Sequence, residues 1–189
     1  MGLAAGGGQQ MPIFAACGAD CTVMDFSDKQ LESEKILAKK EGYQINIING
    51  DMTKEFPFEN ASFDIVFHPV SNCYIKDVNH VWQECARVLK SGGILMAGFD
   101  NGLNFLFDEN DESHIIDYLP FDPLTNKKQL DYLLKNDYAI QFSHNIEELI
   151  AGQIHSGFEL LDIYDDTNDE GFLMEHGVPT YWVTLSRKK

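Results

Sequence analysis

The stretch Leu3-Ala4-Ala5-Gly6-Gly7-Gly8-Gln9-Gln10 decides the fold, because three glycines stand between a short apolar segment and a helical pattern. Glycines between a strand and a helix let the backbone turn tightly and approach a ligand closely. The helix beyond the turn then presents free N–H groups at its N-terminus. The stretch therefore predicts a strand, a ligand-binding turn and a helix. A flexible tail is the competing interpretation of the glycines alone.

Short apolar runs alternate with helical patterns along the remaining chain, as in βαβ units with a parallel sheet. Ser27, with Gln30 three residues later, predicts a capping box at the start of the second helix. Ser91-Gly92-Gly93 predicts a C-cap turn at the end of the third. We predict strands at 1–5, 21–25, 44–49, 63–67, 94–99, 158–164 and 181–186, and helices at 9–17, 27–41, 78–89 and 143–156.

Residues 100–143 break this alternation, since they are acidic and aromatic and carry two prolines. A compact fold rarely contains so long an irregular connection unless it covers a site. We therefore predict one domain over 1–189, with 100–143 inserted as a lid or substrate wall. The aromatic residues of this insertion fit an apolar pocket or an ordinary core equally well: Phe105, Phe107, Tyr118 and Phe121. Its acidic residues lack the spacing of a calcium loop and predict a solvated face: Asp108, Glu109, Asp111 and Glu112.

The charge of the chain restricts its partners. Thirty Asp and Glu against fourteen Lys and Arg give a formal charge of −16, which repels nucleic acid phosphates. No run approaches about 18 apolar residues, so we expect no membrane span, and residues 1–10 lack a signal-peptide pattern. The four cysteines form no CxxC pair and have no histidine at metal-ligand spacing. We predict no metal site, and free thiols in a reducing cytoplasm.

Two acidic residues follow the second and third predicted strands. Asp25 can accept hydrogen bonds from ribose hydroxyls. Asp51, or a neighbouring N–H, can meet the amino edge of an adenine while Met52 packs on the ring. A helix N-cap and a turn aspartate are the alternative interpretations. Because ligands bind at the carboxyl ends of parallel strands, these acids and the glycine turn together predict one ligand site.

Five segments occur in an order that resembles class I S-adenosylmethionine (SAM) methyltransferases. They are the glycine turn, Asp25, Gly50-Asp51-Met52, Ser62-Phe63-Asp64-Ile65-Val66, and Arg87-Val88-Leu89-Lys90-Ser91-Gly92-Gly93-Ile94-Leu95. The resemblance covers 2–99, and 158–186 resembles the family's terminal antiparallel strands. The GGGQQ turn, together with His68-Pro69-Val70-Ser71-Asn72-Cys73, resembles a narrower group of bacterial methyltransferases.

The resemblance implies a three-layer Rossmann-like α/β sandwich. Its seven-strand sheet would be mostly parallel, with an antiparallel last strand. SAM is the implied cofactor and S-adenosylhomocysteine (SAH) the implied product. The residues expected to bind the cofactor are Ala5, Gly6, Gly8, Gln10, Asp25, Phe26, Asp51, Met52 and His68.

Two departures from the family pattern modify this expectation. The family usually has an acid where Ala4 stands and a glycine where Gln10 stands, so Gln9 or Gln10 is expected to supply polar contacts instead. Only about five residues precede the glycine turn, so we expect a shortened first strand and N-terminal cap. The uncovered apolar surface would favour a homodimer.

The segment after the fourth strand carries the predicted reaction chemistry. Methyl transfer is an in-line displacement that needs alignment, and a base where the nucleophile carries a proton. His68 is the predicted base, with Asn72 and Tyr74 as orienting groups; a structural histidine is the alternative for His68. Cys73 has no activating partner.

The predicted function is SAM-dependent methylation of a small molecule. The segment after the fourth strand is not the Asn/Asp-Pro-Pro-aromatic motif that resembles enzymes methylating nucleic acid bases, which agrees with the charge. A SAM- or nucleotide-binding module without catalysis is one alternative, and an NAD-binding Rossmann domain is another, although a well-formed GxGxxG is absent.

Overall fold

The computed structural model describes residues 1–108 and 112–189 and contains a seven-stranded sheet in the order β3-β2-β1-β4-β5-β7-β6. The strands are β1 (Gly2–Leu3), β2 (Cys21–Asp25), β3 (Ile45–Asn49), β4 (Phe63–His68), β5 (Leu89–Asp100), β6 (Phe158–Asp166) and β7 (Tyr181–Lys188). The α-helices are α1 (Met11–Ala16), α2 (Asp28–Glu41), α3 (Val78–Val88), α4 (Lys127–Lys135), α5 (Gly152–His155) and α6 (Phe172–Glu175). Short 3₁₀ helices cover Asn72–Tyr74 and Leu103–Leu106, and a π-helix covers Glu147–Ala151.

The first five strands are parallel, and β7 is antiparallel to both of its neighbours, β5 and β6. The predicted Rossmann-like sheet is therefore confirmed. Strand β1 is only two residues long, yet it lies inside the sheet, between β2 and the central strand β4. The strand order reverses there, and the crevice at such a reversal is where α/β sheets bind ligands.

Apolar residues of α3 cover one face of the sheet and make the larger core. Val81, Trp82, Cys85 and Val88 occur at helical spacing and are all fully buried. On the other face a smaller cluster joins α1 and α2 to the sheet through Met11, Val23 and Leu31, together with Ala5 of the glycine turn. The two clusters hold helices on both faces of the sheet, which gives the three layers helix, sheet and helix.

The predicted capping box of α2 forms only in part. The Ser27 hydroxyl accepts a hydrogen bond from the Gln30 N–H at 3.4 Å, as expected for an N-cap. The Ser27 N–H, however, donates to Asp25 Oδ1 at 2.8 Å, so Asp25 occupies the place that Gln30 would take in a complete box. The end of β2 and the start of α2 are thereby joined through one carboxylate.

The predicted C-cap turn at Ser91-Gly92-Gly93 was wrong, since α3 ends at Val88 and β5 begins at the next residue. The three residues form a bulge in β5, because Phe63 pairs with Leu89 whereas Ile65 pairs with Ile94. Gly92 has a φ of +77°. A left-handed glycine serves a helix end and a bulge equally well, so the local pattern could not distinguish them.

The segment between β5 and β6 is more regular than predicted. It contains a 3₁₀ helix and α4, whose Gln129 and Leu133 are buried one turn apart. The helix predicted over 143–156 begins later, as the π-helix that continues into α5. Asn145 and Glu148 cap its start reciprocally, each side chain accepting the other's N–H at 2.9 Å.

The solvated acidic face predicted for this segment does not describe Glu112. That carboxylate accepts hydrogen bonds from the Leu173 N–H at 2.9 Å and from Asn168 Nδ2 at 3.3 Å. It therefore joins the insertion to the β6–β7 connection. Glu109 and Asp111 of the same prediction lie outside the described residues.

Candidate active site

A cavity of about 770 Å³ opens at the carboxyl ends of β1 to β4, at the point where the strand order reverses. One wall is the glycine turn, from Leu3 to Gly6, with Gln9 and Gln10. The β2–α2 junction makes a second wall, and the residues after β3 and β4 make a third and a fourth. Ala139 and Ile140, from the 100–143 insertion, complete the lining.

The glycine turn is held tightly against α2. The Gly6 N–H donates to Asp25 Oδ2 at 3.0 Å, and the Gly7 N–H donates to the Gln30 carbonyl at 3.0 Å. A Cβ on Gly6 would lie 2.9 Å from Gln30 Cβ, and one on Gly8 would lie 2.6 Å from Leu37 Cδ2. The turn therefore needs these glycines for packing as well as for the positive φ of Gly7 and Gly8.

Asp25 combines a structural role with a place in the cavity wall. Its Oδ2 accepts from Gly6 and its Oδ1 from Ser27, so each oxygen has one backbone partner. A carboxylate offers about four lone-pair sites, which leaves about two for a ligand. The arrangement can thus accept hydroxyl donors from a ligand without breaking the turn.

The third wall carries Asp51, whose Oδ1 accepts the Thr53 N–H at 2.8 Å. Partial burial raises the pKa of this carboxyl, but its hydrogen bonds with Thr53 and the nearby Lys54 and His80 outweigh burial, so the net shift is downward. Met52 joins the core to the cavity, whereas Phe26 is 73% exposed at its rim. An anionic acceptor and two apolar surfaces therefore face the same space.

His68 does not line the cavity, contrary to its predicted roles as base and cofactor contact. Its side chain is fully buried, and its Nδ1–H donates to the Leu3 carbonyl at 3.1 Å. Its Nε2 has no hydrogen-bond partner among the described residues. Burial lowers the pKa of His68 to about 4, although the Leu3 carbonyl opposes the shift. The imidazole packs edge-on against Trp82.

Of the other two predicted reaction residues, Asn72 and Tyr74, only Tyr74 lines the cavity. Asn72 is buried and does not line the cavity; its carbonyl accepts His144 Nε2 at 3.1 Å. Tyr74 is half-exposed and does line the cavity. Burial and the nearby Asp100 raise the pKa of the neighbouring thiol, Cys73, to about 12, so the thiol stays protonated near neutral pH.

Of the predicted cofactor residues, all but two line the cavity: Ala5, Gly6, Gln10, Asp25, Phe26, Asp51 and Met52. Gly8 packs on Leu37 instead, and His68 lies beneath the surface. Ala4 also lines the cavity, with a left-handed φ of 48° and its N–H bonded to the Met24 carbonyl.

Sequence reasoning missed several lining residues. The sequence indicates only helix capping for Ser27 and Gln30, although both line the cavity. Ser71, in the segment after β4, also lines the cavity, and no motif in the sequence indicates this. Ala139 and Ile140 carry no local signal, because tertiary folding alone brings the insertion to the strand ends.

Within 1–108 and 112–189, no helix has the length and apolar character needed to cross a membrane. Over the same residues, no three His, Cys, Asp or Glu side chains come together as a metal site.

Comparisons with known proteins agree with this geometry. A family model described as "Methyltransferase domain" matches residues 1–97. The Uncharacterized methyltransferase YbaJ of Bacillus subtilis is 40% identical over 193 residues, which cover 98% of this chain and 74% of that protein. A sterol 24-C-methyltransferase of Pneumocystis carinii is 27% identical over 82% of this chain, which spans only 38% of that protein.

The fold has a close counterpart among solved structures. The S-adenosylmethionine dependent methyltransferase from Mesorhizobium loti superposes with a TM-score of 0.77 at 17% identity, covering 99% of this chain and 89% of that one. Between a methyltransferase and an NAD-binding Rossmann domain, the matches favour the former. The chain belongs to the class I SAM-dependent methyltransferase family.

Proposed function

We propose that this chain transfers the methyl group of SAM to a small-molecule acceptor and that the 770 Å³ cavity holds the cofactor. The observation that carries the proposal is the convergence of the glycine turn, Asp25 and Asp51 on this one cavity. They follow three successive strands of a parallel sheet, and that edge is where such sheets bind nucleotides.

The lining residues suit the parts of the cofactor. The remaining lone pairs of Asp25 would accept the ribose hydroxyls, and Asp51, with Met52 and Phe26, would meet the adenine. Gln9 and Gln10, together with backbone groups of the turn, would face the methionine part, where Ala4 offers no carboxylate. Gln10 Nε2 lies 3.5 Å from Gln9 Oε1, so the two amides already form one polar surface.

When bound, SAM would supply an electrophilic methyl carbon; the acceptor's lone pair would form the new bond while the carbon–sulfur bond breaks and leaves its electron pair on sulfur. The chain's own contribution is alignment. Tyr74 is the lining side chain suited to orient an acceptor, because burial and the nearby Cys73 raise its pKa and keep the hydroxyl protonated. We assign the 100–143 insertion to the acceptor wall.

Calorimetry with SAH tests the cofactor assignment. We expect wild-type protein to bind SAH and Asp25→Asn to bind at least about tenfold more weakly, a loss of about 1.4 kcal/mol. Asp64→Asn is the matched control, because that carboxylate is exposed, pairs with Lys90 and lies at the opposite end of the sheet. Equal affinities for the Asp25 and Asp64 variants would refute the proposal, provided their melting temperatures agree.

Turnover separates an enzyme from a binding module. Release of SAH from SAM in the presence of pooled small molecules would establish catalysis, whereas tight SAM binding without transfer to any of them would favour the non-catalytic alternative. The cytoplasmic location, the homodimer and the exclusion of nucleic acid stay predictions.

A further inference from the structure

A second cavity, of about 340 Å³, lies between the end of β5, the start of β7 and the 100–143 insertion. None of its lining residues belongs to the cofactor cavity. Cavities of this size accept small organic ligands.

The two cavities share one wall. Tyr138 and Gln141 line the second cavity, while the residues between them, Ala139 and Ile140, line the cofactor cavity. Strand β5, which leads to Asp100 in the second cavity, pairs with β4, which leads to the reaction side of the first. A ligand in the second cavity would therefore sit beside the cofactor.

Aromatic rings make much of the second cavity's wall. Phe105 and Phe121 are stacked with their centroids 4.9 Å apart, and Phe121 is almost completely buried. Tyr132 and Tyr138 lie 6.2 Å apart on the same lining, and Tyr181 enters from β7. Aromatic faces carry negative potential and attract cations placed over them.

The charged side chains of this cavity are all acidic. Asp100, Asp108, Glu112 and Asp117 line it, and its described lining contains no lysine, arginine or histidine. Lys128 lies 3.7 Å from Asp117 Oδ2, but it is largely exposed and outside the lining. Such a wall favours a positively charged ligand and disfavours an anion.

Asp100 is held by neutral donors. The Gly102 N–H reaches its Oδ1 at 2.6 Å, and Asn104 Nδ2 reaches its Oδ2 at 2.7 Å. Burial raises the pKa of Asp100, although these two donors oppose the shift. A carboxylate partly removed from water, with spare lone pairs, gains from a cation beside it.

The distribution of the acids indicates the size of that cation. Across the described residues no three acidic, His or Cys side chains converge as metal ligands. The carboxylates are spread around an aromatic wall, which fits a bulky organic cation better than a metal ion.

We propose that this second cavity is a binding site for a small organic cation, an amine or ammonium compound with an apolar or aromatic body. Asp100 and the Phe105–Phe121 stack are the residues expected to recognise the ligand.

Three benzene derivatives of similar size test the charge preference on the full chain saturated with SAH: benzylamine, which is a cation at pH 7.5, benzyl alcohol, which is its neutral isostere, and the anion benzoate. We expect ligand-observed NMR titrations to give at least about tenfold tighter binding for benzylamine than for benzyl alcohol, and no binding of benzoate. Asp100→Asn should weaken benzylamine about tenfold and leave SAH affinity unchanged. Asp131→Asn, at an exposed residue outside the cavity, is the charge-matched control and should change neither.

Equal binding of benzylamine and benzyl alcohol, or no benzylamine binding by protein that binds SAH, would overturn the inference and leave the proposed function intact. Failure to bind SAH would count against the proposed function instead. If Asp100→Asn does not fold, Glu112→Gln removes a charge from the same wall. An unchanged benzylamine affinity in that variant would likewise overturn the inference.

Discussion

Arg87 offers a sharp test of how the wall carrying Asp51 and Met52 is held in place. Its guanidinium donates to both carboxylate oxygens of Glu84 at 2.7 and 2.8 Å. It also donates to the Phe56 carbonyl at 2.9 Å and the Phe58 carbonyl at 2.7 Å. The Phe56 N–H donates to Glu84 Oε2 at 2.7 Å, so the Arg87–Glu84 ion pair holds the loop after β3 against α3.

Arg87→Met keeps the apolar stem and removes every one of these donors. A hydrogen bond to a charged group contributes about 1.5–3 kcal/mol, and removing one partner of a buried pair costs about 3–5 kcal/mol. The side chains of Arg87 and Glu84 are 23% and 11% exposed, so solvent screens part of the interaction between them. We expect the free energy of unfolding to fall by about 2–4 kcal/mol.

Arg187→Met is the matched control. Arg187 and Glu159 form the same type of pair at the same 2.7 Å, but both side chains are about half-exposed. Because solvent screens exposed pairs, this variant should lose clearly less stability than Arg87→Met in urea unfolding.

The effect of Arg87→Met should depend on pH in a definite direction. The hydrogen bond from Arg87 is the main cause that lowers the pKa of Glu84, against a smaller effect of burial. The stability it provides is complete above the ordinary glutamate pKa of about 4.3 and is lost as the pH falls through the lower folded pKa. The difference in free energy of unfolding between wild type and Arg87→Met should therefore become smaller as the pH falls. A loss as small as that of Arg187→Met, or a gap that does not narrow, would refute this reasoning.

Two further predictions concern the glycine turn and the buried histidine. Gly8→Ala should destabilise the protein by about 1–3 kcal/mol more than Gly18→Ala in urea unfolding. Both glycines have φ near +80°, but only a Cβ at Gly8 would clash with Leu37. Equal losses of stability in the two variants would contradict this packing. For His68, the folded pKa of about 4 lies below the ordinary 6.5, so the unfolded state binds the proton first and stability falls as the pH drops from 6.5 towards 4. This loss should reach about 3 kcal/mol in wild type and be absent in His68→Gln, whereas a pH-independent difference between the two proteins would contradict the burial of His68.

Local patterns predicted most of the secondary structure. β2 occurs at the predicted residues, and Ser27 caps α2, because apolar periodicity and capping are properties of neighbouring residues. Asp25 and Asp51 could be placed at one edge by the rule that parallel strands end on the same side. The segment from Arg87 to Gly93 identifies the family by resemblance, but its physical roles depend on distant partners. Arg87 donates hydrogen bonds to the loop after β3, and the glycines form a bulge in β5.

The sequence by itself determined the alternating fold, the cofactor edge and the family, since these follow from periodicity and from the order of short motifs. Only the tertiary structure decided that His68 is buried beneath the cavity while Tyr74 lines it. The two residues are six apart, a distance over which the chain can pass from the core to the surface. It also decided that the acids of the insertion line an aromatic cavity next to the cavity proposed for the cofactor. Burial and cavity shape arise from contacts between distant segments, and no local spacing encodes them.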